Sequence, residues 1–286
     1  MKRDILKFID ENMRSFSKGQ KKIAAYIREN YDKAAFMTAS KLGGIVGVSE
    51  STVVRFVTEF GFDGYPDFQR SLKELVRTNL TSVQRVAVTN SLIGDADVLD
   101  KVLMSDMEKI KKTADGIDRA SFESAVKRIV SAKNIYLMGV RASSYLVGFL
   151  NYSLRMIFDN VRLIQTTSGS EIFEQMMNIS DEDVLIAVTF PRYSKTIIKG
   201  VEYAHKKGAN IIALTDSSES PIAPCADELL VAQSDMASFA DSLVAPMSVI
   251  NALIVAVSRE CQDALNERLH KLEEVWDEYN VYNKDR

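Results

Sequence analysis

Cysteine is nearly absent: Cys225 and Cys261 are the only two in 286 residues. That excludes a disulfide-stapled framework and any cysteine-rich metal module. Histidine is equally scarce, with His205 and His270 alone, and no His/Asp/Glu cluster has metal spacing. No apolar run approaches the ~18 residues that a membrane span needs. The opening MKRDILKFIDEN is charged throughout and lacks the apolar core of a signal peptide. With five prolines and 13 glycines the chain is also no low-complexity or fibrous sequence, and it shows no repeat of about 20–50 residues. These absences lead us to expect a cytoplasmic chain with no metal, no cofactor and no membrane partner.

What is there suits globular folding. Hydrophobic residues make up 46% and charged residues 26%, enough to build one large core or two ordinary ones. The net charge of −3 is mild but unevenly spread: residues 1–77 hold 14 Lys and Arg against 10 Asp and Glu, leaving 22 against 29 elsewhere. A basic first module on an acidic body hints at nucleic-acid contact in the first module only.

Residues 1–77 read as all-helical. Ile5, Phe8, Ile9 and Met13 share a face, and SKGQKKIAAYIREN follows with Ile23, Ala24 and Ile27 at helical spacing. Ser17 and Gln20 stand at capping-box positions. The stretch LGGIVGVSESTVVRF then has the punctuation of a helix-turn-helix. A helix ends near Val46, Gly47 supplies a turn with φ > 0, and Ser49 caps the next helix. Val53, Phe56, Val57 and Phe60 form its buried stripe, leaving Glu50, Ser51, Thr52 and Arg55 outward, where this motif reaches bases and phosphates. Ser49, Glu50, Ser51, Thr52 and Arg55 are the candidate DNA contacts; the plainer reading is a helical hairpin used for dimerisation. Gly43 and Gly44 each cost roughly 1 kcal/mol of helix propensity and are expected to permit close helix packing.

Residues 78–120 read as a helical connector in which Val98, Leu99, Val102, Leu103, Met107 and Ile110 fit one stripe. From 121 to 261 helices alternate with short apolar runs, IYLMGV, VRLIQT, DVLIAVTF, ANIIALTD and ELLVAQ. That rhythm predicts a three-layer α/β domain with a parallel sheet. Residues 262–286 form an amphipathic tail with Leu265, Leu269, Leu272, Trp276 and Tyr279 at helical spacing.

Ligands of such sheets bind beyond the carboxyl ends of the strands, and helix N-termini there favour anions. Three of those ends are rich in hydroxyls. In LMGVRASSYL, Gly139 ends a strand and Ser143 and Ser144 open a helix. In QTTSGSEIF, Thr166, Thr167, Ser168 and Ser170 precede a helix. In AVTFPRYSKT, Thr189 ends a strand, Arg192 follows a proline, and Ser194 precedes a helix. A single serine at a helix start is ordinarily an N-cap; three clusters on one sheet edge point to an anion or polyol site.

The run from SKGQKKIAAYIREN through GVSESTVVRF to GFDGYPDF resembles the helix-turn-helix domain of the RpiR family of bacterial transcriptional regulators, and the second half resembles that family's sugar isomerase (SIS) domain. The resemblance runs from about Ile5 to Cys261. It implies an all-α helix-turn-helix domain followed by a flavodoxin-like SIS domain, a double-stranded DNA operator, a phosphosugar or acidic sugar effector, and a homodimer or higher oligomer. SIS domains carry a Gly-x-Gly-x-Ser loop and a Ser-x-Ser-Gly-x-Thr loop that hold a sugar phosphate. Here the first reads GVRAS: Gly139 and Ser143 match, and Arg141 replaces the second glycine. The second reads TFPRYS: Thr189 and Ser194 match the outer hydroxyls, Pro191 replaces the inner serine, and Arg192 replaces the glycine. Two guanidiniums in place of glycines suit a carboxylate as well as, or instead of, a phosphate.

Isomerase chemistry needs a positioned acid and base. His205 falls at the far end of a helix, His270 in the tail, and Glu171 and Glu174 where carboxylates complement a helix dipole. The expectation is therefore a sensor and not an enzyme: a ligand-responsive DNA-binding regulator. The alternatives are a SIS-type sugar-phosphate isomerase and a constitutive DNA-binding protein whose SIS domain only dimerises.

Overall fold

A computed structural model of the chain describes residues 5–94, 97–165, 170–236 and 238–282. The chain divides into two compact units, Met1–Ala96 with Met236–Ala240, and Asp97–Asp235 with Asp241–Arg286.

The first unit is helical: α1 (Ile5–Asn12), α2 (Lys18–Ala34), α3 (Ala39–Val46), α4 (Glu50–Glu59), α5 (Tyr65–Asn79) and α6 (Ser82–Ile93). Ser17 closes its capping box on α2, its backbone N–H donating to Gln20 Oε1 at 2.8 Å. The expected stripe of α4 is buried throughout, with Val53, Phe56 and Val57 at 0% exposure and Phe60 at 1%. These rings stack into an aromatic core: Phe8 lies 4.2 Å and Phe56 4.7 Å from Phe60, centroid to centroid. Such pairs contribute about 0.5–1.5 kcal/mol beyond their burial. Tyr65 anchors α5, its hydroxyl donating to the Met37 carbonyl at 2.9 Å.

The second unit opens with α7 (Val98–Gly116) and α8 (Arg119–Ser131). It then alternates β1 (Ile135–Gly139), α9 (Ala142–Leu154), β2 (Val161–Ile164), α10 (Glu171–Gln175), β3 (Val184–Val188), α11 (Lys195–Lys206), β4 (Asn210–Thr215) and β5 (Glu228–Val231). It closes with α12 (Val244–Glu260) and α13 (Gln262–Glu278). The five strands are parallel in the order β2-β1-β3-β4-β5. Strand side chains alternate faces, so Leu137, Ile186 and Ile212 pack beneath α8, α9 and α12, while Met138, Ala187 and Ile211 pack against α10 and α11. Helices on both faces explain why the strands read as unbroken apolar runs. The expected connector splits, with α6 in the first unit and α7 in the second. Among the described residues no single helix is long and apolar enough to cross a membrane; only α12 and α13 together pass that test, as a pair bent by 97°.

Candidate functional site

In the first unit, α3 and α4 meet at a left-handed residue. Gly47 has φ 70°, and the backbone N–H of Val48 donates to the Gly43 carbonyl at 2.9 Å. A Cβ on Gly43 would lie 2.8 Å from the Val48 carbonyl oxygen, whereas one on Gly44 would meet nothing within 4 Å. Only the first glycine is required for close approach. Ser49 caps α4, its Oγ accepting from the Thr52 N–H at 3.3 Å and lying 2.9 Å from Ser51 Oγ. Glu50, Ser51 and Arg55 are exposed and Thr52 is half-buried. Glu50, Ser51, Val54 and Arg55 line one shallow open surface. Arg55 Nε donates back to the Ser51 carbonyl at 3.3 Å, a pose that holds the guanidinium beside the helix start. This is the geometry in which a second helix enters a major groove.

In the second unit the strand order reverses between β1 and β3, the switch point at which doubly wound sheets bind ligands. Gly139 pairs with Val188 across that junction, so the GVRAS and TFPRYS loops leave the sheet side by side. Gly139 is required here: a Cβ would lie 2.8 Å from the Ser143 carbonyl oxygen. That contact brings the first turn of α9 directly over the strand end. Ser143 is buried at 8% exposure, and Ser144 Oγ donates to the Arg141 carbonyl at 2.6 Å. On the neighbouring strand Thr189 is 4% exposed, and its N–H donates to the Leu214 carbonyl at 3.2 Å. Ser194 caps α11 by accepting from the Thr196 N–H at 3.2 Å. Both helices therefore aim N-terminal amides at the crevice, which suits an anion.

Arg141 and Arg192, the residues standing at glycine positions, have φ of 56° and 61°. The backbone keeps the glycine conformation while the side chain is arginine, at a cost of about 1–3 kcal/mol each. Both are exposed.

One neighbour escaped sequence reasoning. Asp216, 4% exposed beyond the end of β4, accepts from the Tyr193 hydroxyl at 2.9 Å and the Thr215 hydroxyl at 3.1 Å. It holds the TFPRYS loop against the next strand. The available signal was the polar run TDSSES closing an apolar strand. Ser170 precedes α10 without a side-chain cap bond, and Thr166, Thr167 and Ser168 lie outside the described residues.

His205 sits in the last turn of α11, at the opposite end from Ser194, and His270 on α13. Burial first of all pushes the thiols of Cys225 and Cys261 up, which disfavours their thiolate forms. Among the described residues no group of three or more His, Cys, Asp or Glu is placed to hold a metal ion.

A helix-turn-helix module and an α/β domain with an anion-suited switch point together define a two-domain transcriptional regulator. Residues 3–78 match the helix-turn-helix domain of the rpiR family, and residues 128–256 match the SIS domain. The chain is a helix-turn-helix regulator of the RpiR family, with a SIS domain as its second half. An HTH-type transcriptional regulator of Caldanaerobacter subterraneus is 25% identical over 95% of this chain and 96% of its own length. The regulator HexR of Escherichia coli is 24% identical over 77% of this chain and 74% of its own. Among solved structures, Vibrio vulnificus NanR complexed with ManNAc-6P superposes with a TM-score of 0.60 at 26% identity, over 98% of this chain and all of that one.

Proposed function

We propose that the protein is a cytoplasmic, ligand-responsive transcriptional regulator whose SIS domain senses an anionic sugar, a phosphosugar or an acidic sugar, and thereby alters operator binding. Residues 1–77 read double-stranded DNA through Ser49, Glu50, Ser51, Thr52 and Arg55, and the stretch 78–120 is shared between the two units as α6 and α7. Residues 121–261 bind the effector, and the tail from 262 carries helix α13 (Gln262–Glu278). The observation that carries the effector class is the pair of arginines at positive φ, Arg141 and Arg192, in the two loops flanking the switch point. Backbone strain persists where function over-determines it. A guanidinium is the side chain that binds carboxylate or phosphate with two parallel hydrogen bonds.

In this reading the amides and hydroxyls of Gly139, Ser143, Ser144, Thr189 and Ser194 take one anionic group and the arginines the other, with Thr167, Ser168 and Ser170 as further candidate ligands. The likeness to NanR bound to ManNAc-6P supports a phosphosugar-type effector. The regulator reading is favoured over an isomerase by the rpiR-family helix-turn-helix module ahead of the SIS domain and by the place of His205 at the far end of α11 from the crevice. The effector acts by binding one arrangement of the protein better than another, and shifts DNA affinity only by that difference.

The test is DNA binding to the region upstream of the protein's own gene at fixed salt, with and without phosphorylated and carboxylated sugars. Specific binding moved by one compound is the expected result. Sequence-indifferent, purely salt-sensitive binding, or turnover of the bound compound, would overturn it in favour of a constitutive binder or an isomerase.

A further inference from the structure

Arg141 and Arg192 both have positive φ, but different restraints surround them. Arg141 stands directly before α9 and is held by that helix start: its carbonyl accepts from the Ser144 N–H at 3.0 Å and from Ser144 Oγ at 2.6 Å. Arg192 sits in a loop pinned on both sides. On one side Phe190 is 7% exposed and Pro191 is buried, and the proline ring fixes its own φ. On the other side the Tyr193 hydroxyl donates to Asp216 Oδ1 at 2.9 Å, a bond that reaches 23 positions along the chain to the end of β4. Asp216 is itself firmly placed. It is 4% exposed, and the same Oδ1 accepts from the Thr215 hydroxyl at 3.1 Å. Thr215 is at 0% exposure and pairs with Val231 of β5. The acceptor therefore belongs to the sheet, and the loop is drawn to it.

We infer that Asp216 is a positioning residue for effector binding: through the Tyr193 hydroxyl it holds Arg192 at positive φ and so presets the guanidinium at the crevice before a ligand arrives. A carboxylate is a poor direct ligand for an anion, so its place at this strand end suits a residue that acts through its neighbours. A hydrogen bond to an ionised acceptor is roughly twice as strong as one between neutral groups, and is of the strength needed to offset the strain of an L residue in this conformation. Presetting the side chain removes an ordering cost from binding. The binding consequence rests on the effector reading above, whereas the coupling of Asp216 to the strain at Arg192 does not.

Thermal melting of the unliganded full chain tests the coupling first. Arg192→Gly alone relieves the strain and raises Tm by about 1–8 °C. Tyr193→Phe removes one hydroxyl oxygen and keeps the ring, and in that background Arg192 relaxes by itself. Glycine then adds only freedom to the unfolded chain, so the same substitution leaves Tm unchanged or lowers it. Asp216→Ala abolishes the gain from the other end of the bond. Arg141→Gly, whose restraint is local, gains equally in all three backgrounds. An Arg192→Gly gain that survives loss of the Tyr193 hydroxyl, or an Arg141→Gly gain that disappears with it, would overturn the inference. Titration with inorganic phosphate adds a readout that a merely structural bond would not move. Tyr193→Phe is expected to weaken phosphate binding roughly threefold to tenfold and to change nothing once Arg192 is glycine. A loss of the same size without Arg192 would refute the positioning role. A wild type that binds no phosphate while the melting cycle behaves as expected would overturn the anion site, and with it the binding role of Asp216, and leave the coupling standing.

Discussion

Replacing Arg141 with glycine separates what the backbone favours from what the ligand needs. At φ 56° and ψ −128° an L side chain costs about 1–3 kcal/mol that glycine does not. Glycine returns about 0.4–1 kcal/mol through its greater freedom in the unfolded chain. The net expectation is a gain of roughly 0.5–2 kcal/mol, which in a unit of this size raises Tm by about 1–8 °C. The same substitution removes a charge-assisted hydrogen bond to the effector, worth about 1.5–3 kcal/mol, so affinity falls by roughly tenfold to a hundredfold or more. Arg192→Gly, at φ 61°, follows the same arithmetic. Scanning calorimetry of the unliganded protein and isothermal titration with the effector found in the DNA-binding panel read the two sides. A variant that melts lower than wild type yet binds the effector equally well would refute the reasoning on both counts. Arg141→Lys keeps the charge and the strain but loses the planar fork, and should show no thermal gain with an intermediate loss of affinity.

Gly43→Ala should destabilise the first unit by about 1–3 kcal/mol, because the new Cβ meets the Val48 carbonyl oxygen. Gly44→Ala, with open space around it, should gain up to about 1 kcal/mol of helix propensity; urea titration of the pair reads the difference. Arg55→Ala should lower operator affinity by about 1–3 kcal/mol or, if its contact is to phosphate, reduce the salt slope by about 1; unchanged binding and slope in a salt series would remove Arg55 from the interface. Burial pushes the Tyr65 phenol up to about 12 from 10.0. The neutral phenol is thus favoured in the fold, and its contribution is intact below pH 10 and is lost as pH rises from 10 to 12. Tyr65→Phe should flatten that part of the stability–pH curve, and an unchanged curve would count against the assignment.

Much of this architecture depends on local rules and could be read from the chain alone. The caps at Ser17 and Ser49, the left-handed turn at Gly47 and the buried stripe from Val53 to Phe60 each depend on residues within a few positions of one another. Five apolar runs separated by helical patterns dictate a parallel sheet, because only a sheet covered on both faces has no polar side to its strands. The hydroxyl-rich strand ends were visible for the same reason. Which ends become neighbours was not visible. The GVRAS and TFPRYS loops are separated in sequence by β2 and α10, and only the strand order brings them together. The role of Asp216 depends on β4 lying beside β3.

The sequence by itself determined the order of the two modules, the DNA-reading helix and the hydroxyl composition of the sheet edge, since periodicity and capping act over one or two helical turns. Tertiary structure alone decided three things. It placed Arg141 and Arg192 on either side of one switch point. It held both in a backbone conformation suited to glycine. It turned the apolar row of α7 away from its own domain while burying Lys109 beneath it. Each of these results from packing between segments far apart in the chain, which no local pattern encodes.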